Sequence, residues 1–312
     1  RNASKMTILL LMSDNINWLS ALKTHLPNIF IQHYPEITKA NEIEFALVWN
    51  PKKGALAKLP NLKVIFSIGA GVDHILRDKS IPKEIPIIRM SDPFQYKMVA
   101  EYALLTVLYV HRNIETISKN NNKKVWTEQT AAYTPEYTVG VLGLGNIGSV
   151  IVDRMQSIGF SVLGWSRSKK ILDGVETFSG FRELETMLPR CDYLICALPL
   201  TQETKGIINK ASLSLMKKDS TLINIGRGEH IEEEALLSYI DKVPLKKVFL
   251  DVFPKEPLEK SHSFWNHPKI FVTPHMAGEV LPKSAVFSVK KGIDRFQNGE
   301  PLENIYDRKK GY

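Results

Sequence analysis

Two cysteines among 312 residues cannot supply a disulfide framework, and 18 glycines with 17 prolines are too few for a collagen-like or low-complexity chain. Cys191 and Cys196 fall in Cys191-Asp-Tyr-Leu-Ile-Cys196, which reads as one strand. An extended pair at that spacing spans about 16 Å, at roughly 3.3 Å per residue, too far to bridge. Both therefore read as buried free thiols. Long apolar runs are also missing. The run at residues 8–12 is shorter than the core of a secretion signal, and Ser13-Asp14-Asn15 interrupts it. The longest helical apolar run, residues 103–110, falls far short of the roughly 18 residues of a membrane span. These absences read as a soluble, cytoplasmic chain. There is no internal repeat, no metal-ligating cluster, and no basic helix or aromatic-interleaved basic stretch of the kind that meets nucleic acid. Residues 1–5, ahead of Met6, read as an expression remnant.

What is present is an ordinary globular composition, 44% hydrophobic and 24% charged, long enough for two domains. With 41 Lys and Arg against 33 Asp and Glu the chain carries +8, which favours an anionic partner: nucleic acid, an acidic membrane, a phosphorylated cofactor or a carboxylate substrate. Short apolar strands alternate with amphipathic helices, the pattern of an α/β fold with parallel sheets. Strands are expected at residues 8–12, 45–49, 64–68 and 87–90, followed by a long helix at 101–112 and a polar turn or linker at 118–124. A second α/β unit begins at Thr138, with strands at 138–142, 161–165, 193–198, 221–225, 248–252 and 270–273. Val286, Val289, Ile293 and Phe296 recur at helical spacing, predicting a last amphipathic helix over 282–298.

The most informative segment is Gly143-Leu-Gly145-Asn146-Ile147-Gly148, a G-x-G-x-x-G turn directly after an apolar strand. A helix pattern, a C-terminal Gly159 and a new strand follow it, which completes a βαβ unit. Gly143 permits the tight turn, Gly145 lets the backbone approach a pyrophosphate, and Gly148 allows close helix packing. Where a free ribose 2′-hydroxyl would be met by an acid at the end of the second strand, the chain has Trp165-Ser166-Arg167-Ser168-Lys169. With the acid missing, Ser166, Arg167, Ser168 and Lys169 offer donors suited to a 2′-phosphate, so NADP(H) is expected over NAD(H).

Three further segments place polar residues just past apolar strands: Asn224-Ile225-Gly226-Arg227-Gly228, Asp251-Val-Phe-Pro-Lys-Glu256, and Thr273-Pro-His275. Arginine can grip a carboxylate with two parallel N–H groups, and histidine exchanges a proton near neutrality. A neighbouring glutamate would fix the histidine's tautomer and favour its charged form. Each alone could be a surface ion-pair member; three behind one dinucleotide turn point to a site.

With these segments, Leu47-Val-Trp49-Asn-Pro51, Gly69-Ala70-Gly71-Val72-Asp73, Ala100-Glu-Tyr102 and the closing Asp307-Arg-Lys-Lys-Gly-Tyr312, the chain resembles the D-isomer-specific 2-hydroxyacid dehydrogenases over nearly its whole length. The resemblance implies a Rossmann cofactor domain (100–281) inserted in a flavodoxin-like, doubly wound substrate domain (6–99 with 282–312), and an active site in the cleft between them. It implies reduction of small 2-keto acids such as glyoxylate and hydroxypyruvate to glycolate and D-glycerate with NADPH. Arg227 would hold the substrate carboxylate, His275 would protonate the carbonyl oxygen, and Glu256 would orient His275. The amides of Ala70, Gly71 and Val72 would add donors, and Trp49 would wall a small pocket. Leu198 and Pro199 would flank the cofactor, with Ile225, Gly226 and Asp251 at its nicotinamide carboxamide. A homodimer formed through the cofactor domain is implied as well, and neither nucleic acid nor membrane as partner.

Gly226 departs from the alanine of many family members, and the stretch after His275 lacks their threonine. A D-lactate or phosphoglycerate type of dehydrogenase, or a dinucleotide-sensing protein of the corepressor type, would share much of this pattern. Turnover of glyoxylate and hydroxypyruvate against pyruvate, and of NADPH against NADH, separates them. Exchanging Ser166 for Asp together with Arg167 for Ala is expected to move preference toward NADH; unchanged kcat/KM ratios for the two cofactors would refute the assignment of these residues.

Overall fold

The computed structural model describes residues 7–13, 15–130, 132–240, 242 and 245–312, so the reading of residues 1–5 as an expression remnant, and Met6, lie outside the described residues. The chain divides into two compact units, one running up to Gln95 and resuming at Val280–Tyr312, the other Tyr96–Glu279.

The first unit contains β1 (Ile8–Met12), α1 (Asn17–His25), β2 (Phe30–His33), β3 (Ile43–Val48), β4 (Val64–Ser67), α2 (Asp73–Leu76) and β5 (Ile87–Ile88). These strands form a parallel sheet in the order β2-β1-β3-β4-β5, a flavodoxin-like winding that switches direction between β1 and β3. All five residues of β1 are buried, as a central strand covered on both faces requires. β2 is absent from the four strands legible in the sequence. It is an edge strand of four residues whose one buried side chain is Gln32, so it carries no apolar run.

α3 (Pro93–His111) begins at the end of the first segment and runs into the second unit, which continues as α4 (Ile114–Asn122), β6 (Thr138–Leu142), α5 (Asn146–Ser157), β7 (Ser161–Ser166), β8 (Glu176–Ser179), α6 (Gly180–Met187), β9 (Tyr193–Cys196), α7 (Lys210–Leu215), β10 (Thr221–Asn224), α8 (Glu233–Ile240), β11 (Lys247–Leu250) and β12 (Ile270–Val272). Its parallel sheet has the order β12-β11-β10-β9-β6-β7-β8, a Rossmann winding that reverses between β6 and β9. The carboxyl ends of those two strands therefore bound a crevice where doubly wound sheets hold ligands. Both folds are doubly wound α/β, and the Rossmann segment is inserted between the two segments of the first unit.

Three local expectations change. The polar stretch 118–124 is no linker: residues up to Asn122 belong to α4, whose two apolar side chains, Ile114 and Ile117, lie in its first turns and are exposed, so the polar run that ends it carries no helical periodicity. The long helix begins at Pro93 rather than 101, where Asp92 accepts the Phe94 N–H at 3.0 Å ahead of a proline fixed in helical geometry. Cys191 precedes β9 instead of lying in it, yet both thiols are free and buried, and burial pushes each pKa up to about 12. The sequence showed no sign of β8, a second short edge strand.

α9 (Pro282–Gln297) closes the first unit. Ala285, Val286, Val289 and Ile293 are fully buried in one cluster with Leu9, Leu11, Phe45 and Phe66 of the sheet. Gly292 sits so near this sheet that an added Cβ would stand 2.4 Å from the Phe66 ring. Among the described residues, no helix is long and apolar enough to cross a membrane. Gly292→Val should therefore overpack this contact and cost about 1–3 kcal/mol. Urea unfolding reads the loss; an unchanged midpoint and slope would contradict the contact.

Candidate active site

The turn after β6 is shaped by what glycine omits. Gly143 adopts a φ of +100°, and a Cβ there would lie 2.7 Å from the carbonyl oxygen of Ala197, at the end of β9. A Cβ on Gly148 would stand 1.7 Å from Gly143 O, so α5 packs directly against the turn. Gly145, the N-cap of α5, has nothing within 4 Å of its missing Cβ, and no side chain caps the helix. Asn146 and Ile147 open its first turn, with Asn146 Nδ2 donating to Tyr96 OH at 3.2 Å. Open space over Gly145 and an uncapped helix N-terminus behind it are what a dinucleotide pyrophosphate needs. The residues present fit that group.

At the end of β7, Ser166 is buried and its hydroxyl donates to Ser168 O at 2.7 Å, which curls the loop back on itself. Arg167, Ser168 and Lys169 are exposed beyond it. The Arg167 guanidinium reaches Glu203 at 3.5 Å, a carboxylate that nothing in the local sequence places there.

The turn after β10 is held from within. The Asn224 side chain donates to Arg227 O at 2.9 Å and accepts the Gly226 N–H at 3.2 Å, while Ile225 N donates to Cys196 O at 3.0 Å. His230, fully buried, accepts the Arg227 N–H at Nδ1 (2.9 Å), and its Nε2 lies 3.2 Å from Pro199 O. Since one partner can only donate and the other only accept, this imidazole is neutral with its proton on Nε2. It ties the Arg227 turn to the Leu198-Pro199 segment, where Leu198 is buried and Pro199 exposed. An added Cβ at Gly226 would press to within 2.8 Å of that ring. His230 was missed in the sequence although it stands three residues after Arg227.

The turns after β11 and β12 meet at a histidine–carboxylate hydrogen bond. His275 Nδ1 lies 2.8 Å from Glu256 Oε2, and Glu256 Oε1 accepts the Phe253 N–H at 2.9 Å. Burial pushes the Glu256 carboxyl pKa upward, but the hydrogen bonds from His275 and Phe253 and the charges of His275 and Arg227 outweigh it, leaving it below the usual carboxylate value. The stabilisation from that carboxylate is in place above the ordinary carboxylate pKa and is lost as pH falls through the lowered one. His275 itself has a φ of +52°, a conformation few side chains adopt unforced. Asp251 enforces it. Its buried carboxylate accepts the Thr273 hydroxyl (2.6 Å), Met276 N (2.9 Å) and Ala277 N (2.9 Å), and its carbonyl accepts His275 N at 2.9 Å. Tyr102 completes the brace with a 2.7 Å hydrogen bond to Thr273 Oγ1, and burial pushes its phenol up to about 12.

Gly228 brings these turns together. A Cβ there would stand 2.1 Å from Phe253 C and 2.2 Å from Pro254 N, so the backbone carrying Arg227 rests on the backbone leading to Glu256. In the first unit, Trp49 follows β3 and is 42% exposed, while Ala70 and Gly71 are half-buried after β4 and Val72 is buried.

A Rossmann unit that carries a glycine turn and, past three adjacent strand ends on the same edge of its sheet, an arginine, a glutamate and a histidine defines a dehydrogenase acting through a nicotinamide cofactor. Residues 104–277 match the family model described as D-isomer specific 2-hydroxyacid dehydrogenase, NAD binding domain, and the chain belongs to that family. It is 33% identical over 300 residues to the glyoxylate/hydroxypyruvate reductase A of Yersinia enterocolitica, covering 95% of this chain and 96% of that protein. Its fold matches a D-isomer specific 2-hydroxyacid dehydrogenase of Xanthobacter autotrophicus Py2, solved with NADPH and MES, with a TM-score of 0.93 and 33% identity over 98% of this chain and all of that one. A NADPH-dependent glyoxylate/hydroxypyruvate reductase of Sinorhizobium meliloti, solved with NADP and sulfate, matches with a TM-score of 0.92 and 31% identity over the same shares.

Because the space at Gly145 is open, Gly145→Ala should leave the thermal midpoint in place yet weaken cofactor binding about tenfold, by crowding the path of the pyrophosphate. Calorimetric titration with NADPH beside a melting curve reads both; unaltered affinity would mean the backbone is not approached there.

Proposed function

We propose that this enzyme reduces small 2-keto acids, glyoxylate and hydroxypyruvate, to glycolate and D-glycerate, preferring NADPH to NADH. The observation that carries the reading is the convergence of Arg227, Glu256 and His275 on three adjacent turns, braced by Asn224, Gly228 and Asp251. The names of the Yersinia and Sinorhizobium relatives support it.

With Nδ1 held by Glu256, His275 presents Nε2 as the proton donor to the substrate carbonyl oxygen. Glu256, ionised, fixes the ring's orientation and tautomer through Nδ1. Arg227 grips the carboxylate and draws charge from the keto group. The amides of Ala70, Gly71 and Val72 add donors to the carboxylate, and Trp49 limits substrate size. When bound, NADPH supplies the hydride to C2. Arg167, Ser168 and Lys169 hold its 2′-phosphate, and Gly143, Gly145 and Gly148 leave room for its pyrophosphate. Ile225 and Gly226 would line the nicotinamide end, and Asp251 would act there through the loop it braces.

The enzyme works as a homodimer joined through the cofactor unit, whose surface exposes Leu105 (63%), Ile114, Ile117, Val125 and Trp126 (93%) along α3, α4 and the segment after them.

His275→Ala should lower kcat by about 10²- to 10⁴-fold with little change in NADPH affinity. Initial rates with glyoxylate, hydroxypyruvate and pyruvate, each with NADPH and NADH, test the whole reading. Near wild-type turnover by the variant, or wild-type preference for pyruvate and NADH, would overturn it.

A further inference from the structure

One buried histidine has no part in the chemistry above. His74, in α2 and 6% exposed, accepts the Asn50 N–H at Nδ1 (3.0 Å), and its Nε2 lies 2.9 Å from Ser67 Oγ. The Ser67 hydroxyl spends its hydrogen on Gly71 O at 2.8 Å. An amide N–H can only donate, so Nδ1 carries a lone pair; an oxygen whose hydrogen is committed can only accept, so Nε2 carries the proton. A neutral imidazole in one tautomer thus bridges the turn after β3 to the turn after β4.

The same ring lies against Trp49, with centroids 4.5 Å apart at 44°. The indole in turn covers Gly69, where an added Cβ would be 3.1 Å from Trp49 Cζ3. Both turns pass through positive φ, +45° at Asn50 and +132° at Gly69, so each depends on a residue type that tolerates that backbone and on the contacts that hold it. The peptide joining Gly71 to Val72 is planar, so pinning Gly71 O through Ser67 also aims the Val72 N–H.

We propose that His74 is a positioning residue that fixes the Trp49 indole over the Gly69–Gly71 turn and aims the Val72 amide, and so sets the size of the 2-keto acid accepted. The inference rests on the function proposed above and adds the device that controls its substrate selectivity. His74 touches neither substrate nor cofactor in this role.

The test uses the full chain with His74→Ala, His74→Asn and His74→Gln. Asparagine places an oxygen near the position of Nδ1 and keeps the Asn50 link; glutamine places an N–H near Nε2 and keeps the Ser67 link. His74→Ala should raise KM for glyoxylate about tenfold, the loss of one buried hydrogen bond, and leave KM for NADPH within about twofold. Its preference for glyoxylate over 2-ketobutyrate should fall about tenfold as the indole comes loose. Trp49 emission, read as the difference between each protein and the same protein carrying Trp49→Phe, should shift in His74→Ala and return in His74→Asn, while His74→Gln should recover KM. If the alanine variant does not fold, Ser67→Ala removes the same relay and carries the same KM expectation. Unchanged Trp49 emission, or unchanged glyoxylate KM and selectivity in an active protein, overturns the proposal. Should the wild type turn over no 2-keto acid, the proposed function fails instead, and the emission difference alone decides whether His74 holds the indole.

Discussion

At Gly228 one stretch of backbone lies directly on another, with no room for even a methyl group between it and Phe253-Pro254. The candidate site depends on that approach. Parallel strands β10 and β11 bring their ends side by side, but the turns beyond them would splay if a side chain intervened. With glycine there, Arg227 and Glu256 leave neighbouring turns in contact, and Glu256 can accept Phe253 N with one oxygen and His275 with the other. A carboxylate with both oxygens committed is held in place before any substrate arrives, which is how an electrostatic site avoids reorganising during reaction.

Bracing from behind follows the same logic. Asp251 turns a carboxylate just past β11 into a clamp on the turn after β12, and so sustains the left-handed backbone at His275 that local preference would not keep. His230 does for Arg227 what Asp251 does for His275, joining it to the turn after β9. Neutral partners serve where no charge is wanted, and an ionised one serves beside the histidine that must hold a proton.

Much of this was legible in the sequence because it is local. The central strands β1, β6 and β10 are buried on both faces and read as apolar runs, and G-x-G-x-x-G announces its turn through spacing alone. Arg227, Glu256 and His275 stood out because each follows such a run. What escaped notice is what depends on distant partners. β2 and β8 are edge strands with one buried side chain each, and α4 buries none, so no periodicity marks them. His74 and His230 look like any histidine in a polar segment until the fold brings Asn50, Ser67 and Pro199 to their rings. Glu203 is separated from Arg167 by two strands and a helix and meets it only across the winding.

The place of α9 has a consequence for how the chain is made. Val286, Val289 and Ile293 complete the core beneath β1, β3 and β4, yet they are synthesised after the whole Rossmann segment. A ribosome releases the nucleotide-binding segment with all its strands in hand, while the sheet begun first must wait, one apolar face bare, for the last helix to emerge. Such long-range closure is slow, because ordering the intervening chain opposes it until the contact forms. The sheet made first is therefore the one whose core is completed last, its apolar face open to misassembly until α9 arrives.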